Sequence, residues 1–179
     1  MRYEQATGAT LLTDLERKPE SLERLAGALA DPEALEAIPL HPRRIMLTGM
    51  GSSRFAAEVT AMRLRAAGLD AVAAPASAAI GWAPGPDLLV LAISATGGSV
   101  ETLAALERYA GARIVAITER PDSALGRAAD GIVELHAGLE VSGVACRTFQ
   151  HTLLVLRAIE ARLTGVAHDT RGLCRRVAT

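Results

Sequence analysis

The sequence has few of the residues that usually carry metal or covalent chemistry. Only two of its 179 residues are cysteines. Cys146 and Cys174 have neither metal-ligand spacing nor neighbouring histidines, so we expect free thiols and no metal site. Lys18 is the single lysine among 19 basic residues, and it lies far from the glycine-rich turns described below. Chemistry through a lysine imine is therefore not expected.

Net charge and long apolar runs are also lacking. The formal net charge is -1 and half of the residues are hydrophobic. This composition is typical of a soluble globular protein, and it gives no electrostatic reason to expect nucleic acid or an acidic membrane surface as a partner. Every apolar run is interrupted before it reaches the length of a membrane span. Residues 1–4 lack the apolar core of a signal peptide, so we expect a cytoplasmic protein.

The first forty residues are predicted to be helical. Leucines recur at three- and four-residue spacing over residues 9–17 and 21–30, which predicts two helices separated by Lys18-Pro19. Asp31-Pro32 has the pattern of a helix cap followed by a first-turn proline, so a short third helix is expected. We interpret residues 1–40 as a helical segment that covers apolar surface of the following domain.

The remainder alternates strands with helices. Apolar runs of strand length are separated by segments with helical periodicity. The predicted strands are 44–48, 71–74, 88–93, 113–117 and 132–135. Right-handed crossovers place helices on both faces of a parallel sheet. We therefore expect an α/β fold over residues 41–165, a three-layer αβα sandwich with five parallel strands in flavodoxin-like order. The last helix is predicted from about Val144 to Leu163, and residues 166–179 are expected to be a loosely ordered tail.

A hydroxyl-rich glycine turn follows the third strand. Residues 94–99 read Ser-Ala-Thr-Gly-Gly-Ser and precede a helix. The first amides of a helix lack partners within it and the helix dipole is positive there, so an anion is stabilised. Glycines allow close approach of the anion, and Ser94, Thr96 and Ser99 add neutral donors. The turn is predicted to bind phosphate; the alternative is an ordinary turn with Ser99 as the helix N-cap.

A similar turn, residues 49–53, follows the first strand. It reads Gly-Met-Gly-Ser-Ser, and Arg54 occupies the third glycine position of a dinucleotide fingerprint. A nicotinamide cofactor is therefore disfavoured, and no cofactor is expected. In flavodoxin-like order the first and third strands flank the ligand crevice, so both turns are expected to face one ligand. The next helix is predicted to carry Phe55, Ala56, Val59, Met62 and Ala66 on an apolar face, with Glu58, Arg63 and Arg65 on the other face.

These motifs together resemble the sugar isomerase (SIS) domain family. Gly51-Ser52-Ser53 resembles the family's Gly-Thr-Ser, and residues 94–102 resemble Ser-Gln-Ser-Gly-Glu-Thr-x-Asp-Thr. Residues 137–149 resemble the Ala-Gly-x-Glu-x-x-Val-Ala-Ser-Thr-Lys-x-Phe-Thr region of the isomerase half of glucosamine-6-phosphate synthase. The resemblance covers residues from about 12 to 164.

The resemblance implies that the two turns bind the phosphate of a phosphorylated sugar, either a ketose or an amino-sugar phosphate. The substrate-binding residues predicted in this way are Gly51, Ser52, Ser53, Ser94, Ala95, Thr96, Gly97, Gly98 and Ser99. Ala95, Gly98 and Ala145 depart from the family motif, which has glutamine, glutamate and serine there. These changes favour phosphate binding over recognition of the sugar ring.

The resemblance also implies a partner. Related enzymes carry two such domains in tandem and take catalytic groups from the second, so a homodimer or a second SIS domain is expected. The function predicted is a phosphosugar-binding domain of the aldose–ketose isomerase or amino-sugar phosphate isomerase/deaminase type, incomplete for catalysis alone. The alternative is a non-catalytic sugar-phosphate sensor or regulatory module.

Isomerisation needs a base that moves a proton between adjacent carbons. Glu140, on the turn after the fifth strand, is the best candidate within the chain; the alternative is that it caps the final helix. His136 precedes the same turn and is placed to face the site. His151 is interpreted as a helix-surface or subunit-contact histidine.

Overall fold

The computed structural model describes residues 8–79 and 81–178, and it confirms the α/β fold. The strands are β1 (Arg44–Gly49), β2 (Ala71–Pro75), β3 (Leu88–Ile93), β4 (Arg113–Thr118) and β5 (Gly131–Glu134). They form one parallel sheet in the order β2-β1-β3-β4-β5, which is the flavodoxin-like order. Residues 1–4, which were considered above for a leader, lie outside the described ranges.

Helices cover both faces of the sheet. They are α1 (Gly8–Glu16), α2 (Lys18–Ala28), α3 (Gly51–Ala66), α4 (Val100–Glu107), α5 (Ala124–Ala128), α6 (Arg147–Thr164) and α7 (Thr170–Ala178). Alternate strand residues point to opposite faces, so two separate cores form. Leu47 and Leu91 pack with α2, α3, α6 and α7, whereas Met46 and Val90 pack with Leu106 of α4 and with α5. The three-layer sandwich predicted from the sequence is therefore present.

The N-terminal helices differ in detail from the prediction. Lys18-Pro19 does not separate two helices by a gap, because α2 begins at Lys18 with Pro19 in its first turn. A proline is tolerated there since the first amides of a helix have no partner within it. The Asp31 carboxylate accepts a hydrogen bond from the Glu33 amide at 2.9 Å, as a cap does, but the segment that it caps is a single 3₁₀ turn, Pro32–Leu35.

Helix α3 buries only Ala56 of the apolar face predicted for it. Its buried side is made of small residues and one leucine: Ala56, Ala57, Thr60, Ala61 and Leu64. Phe55, Val59 and Met62 are instead 60%, 50% and 63% exposed. Small side chains allow α3 to lie close to the sheet, so the larger apolar side chains form a stripe on its outer face. We call residues 55, 59 and 62 the α3 stripe.

The C-terminal segment is ordered, contrary to expectation. Residues 170–178 form α7, whose Cys174 is fully buried in the same core as Leu22 and Leu25 of α2. Apolar packing against α2 therefore extends the fold beyond residue 165. The preceding helix, α6, begins at Arg147 rather than near Val144. Within the described residues no helix is long and apolar enough to cross a membrane.

Candidate functional site

A cavity of about 550 Å³ lies where β3, β4 and β5 end. It is lined by Ala95 and Thr96 after β3, by Glu119 and Arg120 after β4, and by residues within 138–148. Ligands of open parallel sheets bind beyond the carboxyl ends of the strands, so this is the expected edge. We refer to residues 94–99 as the β3 loop and to residues 135–146 as the β5 loop.

The β3 loop is a tight turn that requires glycine at one position. Gly97 has φ +63°, and a Cβ built there would lie 1.9 Å from Ser123 Oγ. Its amide donates to the Ser94 carbonyl at 3.0 Å, which closes the turn. Ser99 Oγ accepts hydrogen bonds from the Thr102 amide and hydroxyl at 3.2 and 3.0 Å. Ser99 is therefore the N-cap of α4, the alternative role considered for it.

The turn after β4 and the start of α5 are joined to the β3 loop by backbone hydrogen bonds. The Glu119 amide donates to the Ala95 carbonyl and the Leu125 amide to the Gly97 carbonyl, both at 3.0 Å. The Glu119 carboxylate in turn accepts from the amides of Ala137 and Gly138 at 2.6 and 2.8 Å. Glu119 thus connects the two loops that border the cavity. Our sequence interpretation missed it, although an acidic residue directly after a buried strand was the available signal.

Glu140 lines the cavity but its carboxylate is engaged with α6. Oε1 accepts from the amides of Cys146 and Arg147 at 2.8 and 2.6 Å, and Oε2 accepts from the Thr148 hydroxyl at 2.6 Å. These contacts supply partners for amides at the start of the helix, which is what a capping carboxylate does. The alternative role, helix capping, is therefore observed, and a catalytic role for Glu140 stays a prediction.

The β5 loop is fixed from outside by the first helix. Asp14 of α1 is fully buried and accepts from the amides of Val141 and Ser142 at 3.2 and 2.9 Å. Arg147, which is 2% exposed, donates through Nη2 to Asp14 at 3.0 Å and to the Leu139 carbonyl at 2.6 Å. Although burial alone would raise it, hydrogen bonds from Ser142 and Val141 and the charge of Arg147 hold the pKa of Asp14 below its usual value.

The first glycine turn lies at the same edge of the sheet but outside the cavity wall. Gly49 pairs with Ile93 in the register of β1 and β3, and a Cβ on Gly49 would lie 2.8 Å from the Ile93 carbonyl oxygen. The close approach explains the glycine. Gly51, Ser52 and Ser53 do not line the cavity described above. Their predicted contact with the ligand stays a prediction.

The two histidines considered for the site, His136 and His151, lie outside the cavity wall. His151 is fully buried rather than on the surface, with Nδ1 2.7 Å from the Leu135 carbonyl and Nε2 3.0 Å from Ser21 Oγ. Burial lowers the pKa of His151 to about 4. His136 adopts φ +54°, and its Nδ1 lies 3.7 Å from a carboxylate oxygen of Glu134. Neither histidine is among the residues that line the cavity.

Both cysteines are free thiols, as the sequence predicted. Burial raises the pKa of the Cys174 thiol to about 11. At Cys146, burial also raises the pKa, and the neighbouring Glu140 carboxylate raises it further. A raised pKa lowers the thiolate fraction and hence reactivity. Over residues 8–79 and 81–178, no cluster of three or more His, Cys, Asp or Glu side chains is arranged to hold a metal ion.

Two curated proteins are similar to this chain in sequence. The chain is 32% identical over 165 residues to a glutamine–fructose-6-phosphate aminotransferase (isomerizing) of Aeropyrum pernix, a match that covers 88% of the chain and 27% of that protein. It is 34% identical over 113 residues to a 3-hexulose-6-phosphate isomerase of Mycobacterium gastri, covering 62% of the chain and 57% of that protein. The chain thus spans about a quarter of the aminotransferase's length.

A solved structure has the same fold as this chain. The C-terminal domain of glucosamine-fructose-6-phosphate aminotransferase from Francisella tularensis superposes with a TM-score of 0.71 at 21% identity, covering 96% of this chain and 52% of that one. The SIS domain family model matches residues 40–161, which include β1 to β5 and most of α6. The chain belongs to the SIS domain family.

Proposed function

We propose that this chain is a phosphosugar-binding domain of the isomerase type, with its ligand in the cavity between the β3 and β5 loops. The observation that carries the proposal is that cavity, about 550 Å³ in volume, at the carboxyl ends of three parallel strands in a SIS domain. Its size falls within the range of small-molecule sites. The ligand class is a ketose or amino-sugar phosphate, and the cytoplasmic location predicted above belongs to the same proposal.

The names of the relatives support this ligand class. The aminotransferase and the 3-hexulose-6-phosphate isomerase are both named for phosphorylated six-carbon sugars. In this chain, Thr96 offers an exposed hydroxyl at the cavity, and the β3 loop leads into the N-terminus of α4. That end of a helix favours an anion. A phosphate at the β3 loop would place the sugar against the β5 loop.

Glu140 is the proposed base for proton transfer between adjacent sugar carbons. Its carboxylate lies in the cavity wall, which is the placement that such a base needs. Its hydrogen bonds to the start of α6, however, favour the second candidate function, a module that binds sugar phosphate without turnover. Ala95 and Ala145, which line the cavity where the family motif has glutamine and serine, favour the same alternative.

A panel of sugar phosphates tests the proposal. Thermal shift with fructose 6-phosphate, glucosamine 6-phosphate and their unphosphorylated counterparts should show stabilisation by the phosphorylated compounds alone. Thr96→Glu introduces a carboxylate into the cavity and should abolish the shift, whereas the isosteric control Thr96→Gln should retain most of it. Binding by wild type and Thr96→Glu alike would overturn the proposed location, and no stabilisation by any phosphorylated compound would overturn the function.

Isomerase assays on the same proteins separate the two candidate functions. Turnover by wild type that Glu140→Gln abolishes, with binding retained, supports an isomerase whose base is Glu140. Binding without turnover in wild type, with Glu140→Gln binding equally well, supports the sensor or regulatory module. Glutamine keeps an acceptor oxygen for the amides of Cys146 and Arg147, so the variant tests the proton transfer rather than the helix cap.

The proposal includes self-association through the α3 stripe. Three large apolar side chains at positions 55, 59 and 62 form one exposed face of α3. Glu58, which pairs with Arg54, lies beside its N-terminal half, and Arg63, which pairs with Glu160, lies beside its C-terminal half; both are partly exposed. Antiparallel packing of two α3 helices about a two-fold axis would bury both stripes and bring Glu58 of each copy toward the partner's Arg63. A homodimer formed in this way is the arrangement we favour.

Light scattering tests this association. Wild type should have the mass of a dimer, and Val59→Glu, at the centre of the stripe, should be monomeric with an unchanged circular dichroism spectrum. Val166→Glu, at an apolar position that is 55% exposed and outside the stripe, is the matched control and should remain dimeric. A monomeric wild type would contradict the homodimer and leave a second SIS domain as the partner expected at the stripe.

A further inference from the structure

Most polar side chains that line the cavity already have partners. The carboxylate oxygens of Glu119 accept from two backbone amides. Those of Glu140 accept from the start of α6, and the Thr148 hydroxyl hydrogen is donated to Glu140. Ala95, Leu139 and Ala145 contribute apolar surface. The cavity wall therefore carries two carboxyl groups whose acceptors are in use, and a phosphate placed beside them would be repelled unless a cation were present.

The β3 loop offers fewer free hydrogen-bond donors for a phosphate than its sequence predicted. The Gly97 amide is used within the turn, where it donates to the Ser94 carbonyl. The Ser99 hydroxyl accepts from Thr102 and donates to Glu101 at 3.1 Å. The remaining groups of the loop are neutral. A phosphate dianion at this loop would therefore lack a full positive charge unless it came from another segment.

Arg120 is the cationic residue among the described residues that line the cavity. Its backbone is fixed beside the β3 loop, because the Glu119 amide donates to Ala95 and the Arg120 amide donates to Thr118 Oγ1 at 3.2 Å. The Arg120 side chain is 49% exposed, and its ion pair is a 3.7 Å contact with Asp122, which is itself 79% exposed. An exposed ion pair of this kind contributes little to stability, so the guanidinium is available for a ligand.

We propose that Arg120 is a phosphate-binding residue of this cavity, which supplies to the ligand's phosphate the positive charge that the β3 loop lacks. This inference rests on the proposed function. A guanidinium presents paired donors that match two phosphate oxygens, so it gives orientation as well as charge. It would also offset the carboxyl groups of Glu119 and Glu140 on the same wall. Arg120 thereby selects phosphorylated over neutral sugars.

Calorimetric titration with two probes, fructose 6-phosphate and inorganic phosphate, tests the assignment. Arg120→Ala should weaken binding of both probes by the same factor, at least tenfold, with the thermal midpoint of the free protein unchanged. Arg120→Lys keeps the charge but not the paired donors and should give an intermediate loss. Arg171→Ala, an exposed position on α7 outside the cavity, is the matched control and should bind as wild type does.

The possible results separate this inference from the proposed function. If Arg120→Ala binds both probes as tightly as wild type while Thr96→Glu binds neither, the site stands and the role of Arg120 is wrong. If the loss is confined to fructose 6-phosphate, Arg120 contacts the sugar rather than the phosphate, and the assignment is likewise overturned. If wild type binds neither probe and is not stabilised by glucosamine 6-phosphate either, the proposed function fails and the inference fails with it.

Discussion

The two loops that border the cavity are held in place in opposite ways. The β3 loop is six residues long, and its turn is closed within itself by the Gly97–Ser94 hydrogen bond and by the Ser99 cap. The β5 loop is longer and is fixed by groups distant in sequence: Asp14 of α1, Glu119 after β4, and the start of α6. One wall of the site therefore takes its turn from local contacts and is joined to the neighbouring turn after β4. The other wall is held in part by the helical N-terminal segment.

This difference assigns a function to the N-terminal segment. Its predicted role was to cover apolar surface, and Leu22 and Leu25 of α2 do so. The same segment also forms buried polar contacts: Asp14 accepts a hydrogen bond from the β5 loop, and Ser21 contacts His151. Buried polar contacts of this kind are costly to leave incomplete. We therefore expect changes in α1 and α2 to affect the cavity, although neither helix lines it.

Asp14→Ala tests whether α1 holds the β5 loop in place. Of the proposed variants, it should lower the free energy of unfolding most. The variant removes the buried charge that pairs with Arg147, which keeps only the Leu139 carbonyl, and leaves the amides of Val141 and Ser142 without their acceptor. Breaking one partner of a buried ion pair costs about 3–5 kcal/mol. Chemical denaturation would measure this loss in the free energy of unfolding. Glu20→Ala, which breaks the exposed pair with Arg24, is the control and should cost less than about 1 kcal/mol. Equal losses in the two variants would contradict the role of Asp14.

The contact between α2 and the end of β5 should make stability depend on pH. Burial lowers the pKa of His151 to about 4 in the folded protein, against about 6.5 in the unfolded chain. The unfolded state therefore binds the proton first as the pH falls, and stability is lost between pH 6.5 and 4. The loss attributable to His151 is of the order of 3 kcal/mol.

Denaturation of wild type and His151→Gln at several pH values would measure the loss of stability that His151 causes at low pH. The variant should be less stable at pH 7 but should lose less of its remaining stability between pH 6.5 and 4. Parallel pH profiles for the two proteins would argue against a buried neutral histidine.

The tight turn of the β3 loop and its packing against Ser123 predict a strong effect at Gly97 and a weak one at its neighbour. Gly97→Ala puts a Cβ at positive φ and against Ser123, and such strained conformations cost about 1–3 kcal/mol. Gly98→Ala is the matched control, because the nearest atom to its Cβ would be 3.9 Å away and its φ is not positive. The control should change the free energy of unfolding by less than about 0.5 kcal/mol. Similar losses of stability in both variants would contradict the positive φ of Gly97 and its close packing against Ser123.

The smallest expected effect is at the cap of α4. Ser99→Ala removes the acceptor of the Thr102 amide and should cost about 1 kcal/mol. Because Ser99 is engaged as a cap, its loss should weaken fructose 6-phosphate binding far less than Thr96→Glu does. Calorimetry on Ser99→Ala measures this directly. A tenfold or larger loss of affinity in Ser99→Ala would identify Ser99 as a phosphate ligand, as the sequence first suggested.

The sequence predicted the sheet and the β3 loop because their determinants are local. Apolar runs such as 88–93 specify buried strands, and the glycine and serine of the β3 loop specify its turn and cap. The outward face of α3 was not predictable from periodicity, since both Ala57 and Val59 are apolar and only packing on the sheet selects the smaller one. The roles of Asp14 and Glu119 depend on contacts with residues 127 and 18 positions further along the chain. The position of Glu119 directly after β4 is a local signal, but its partners, like those of Asp14, leave no local pattern.

A phosphorylated sugar that binds between the β3 and β5 loops should change the amide chemical shifts of both loops when the protein is titrated with fructose 6-phosphate. We expect the largest shifts at residues 94–98, 119–120 and 138–148, and no shift at these residues with unphosphorylated fructose at the same concentration. Saturating fructose 6-phosphate that shifts none of these amides, or fructose that shifts them equally, would contradict binding at this site.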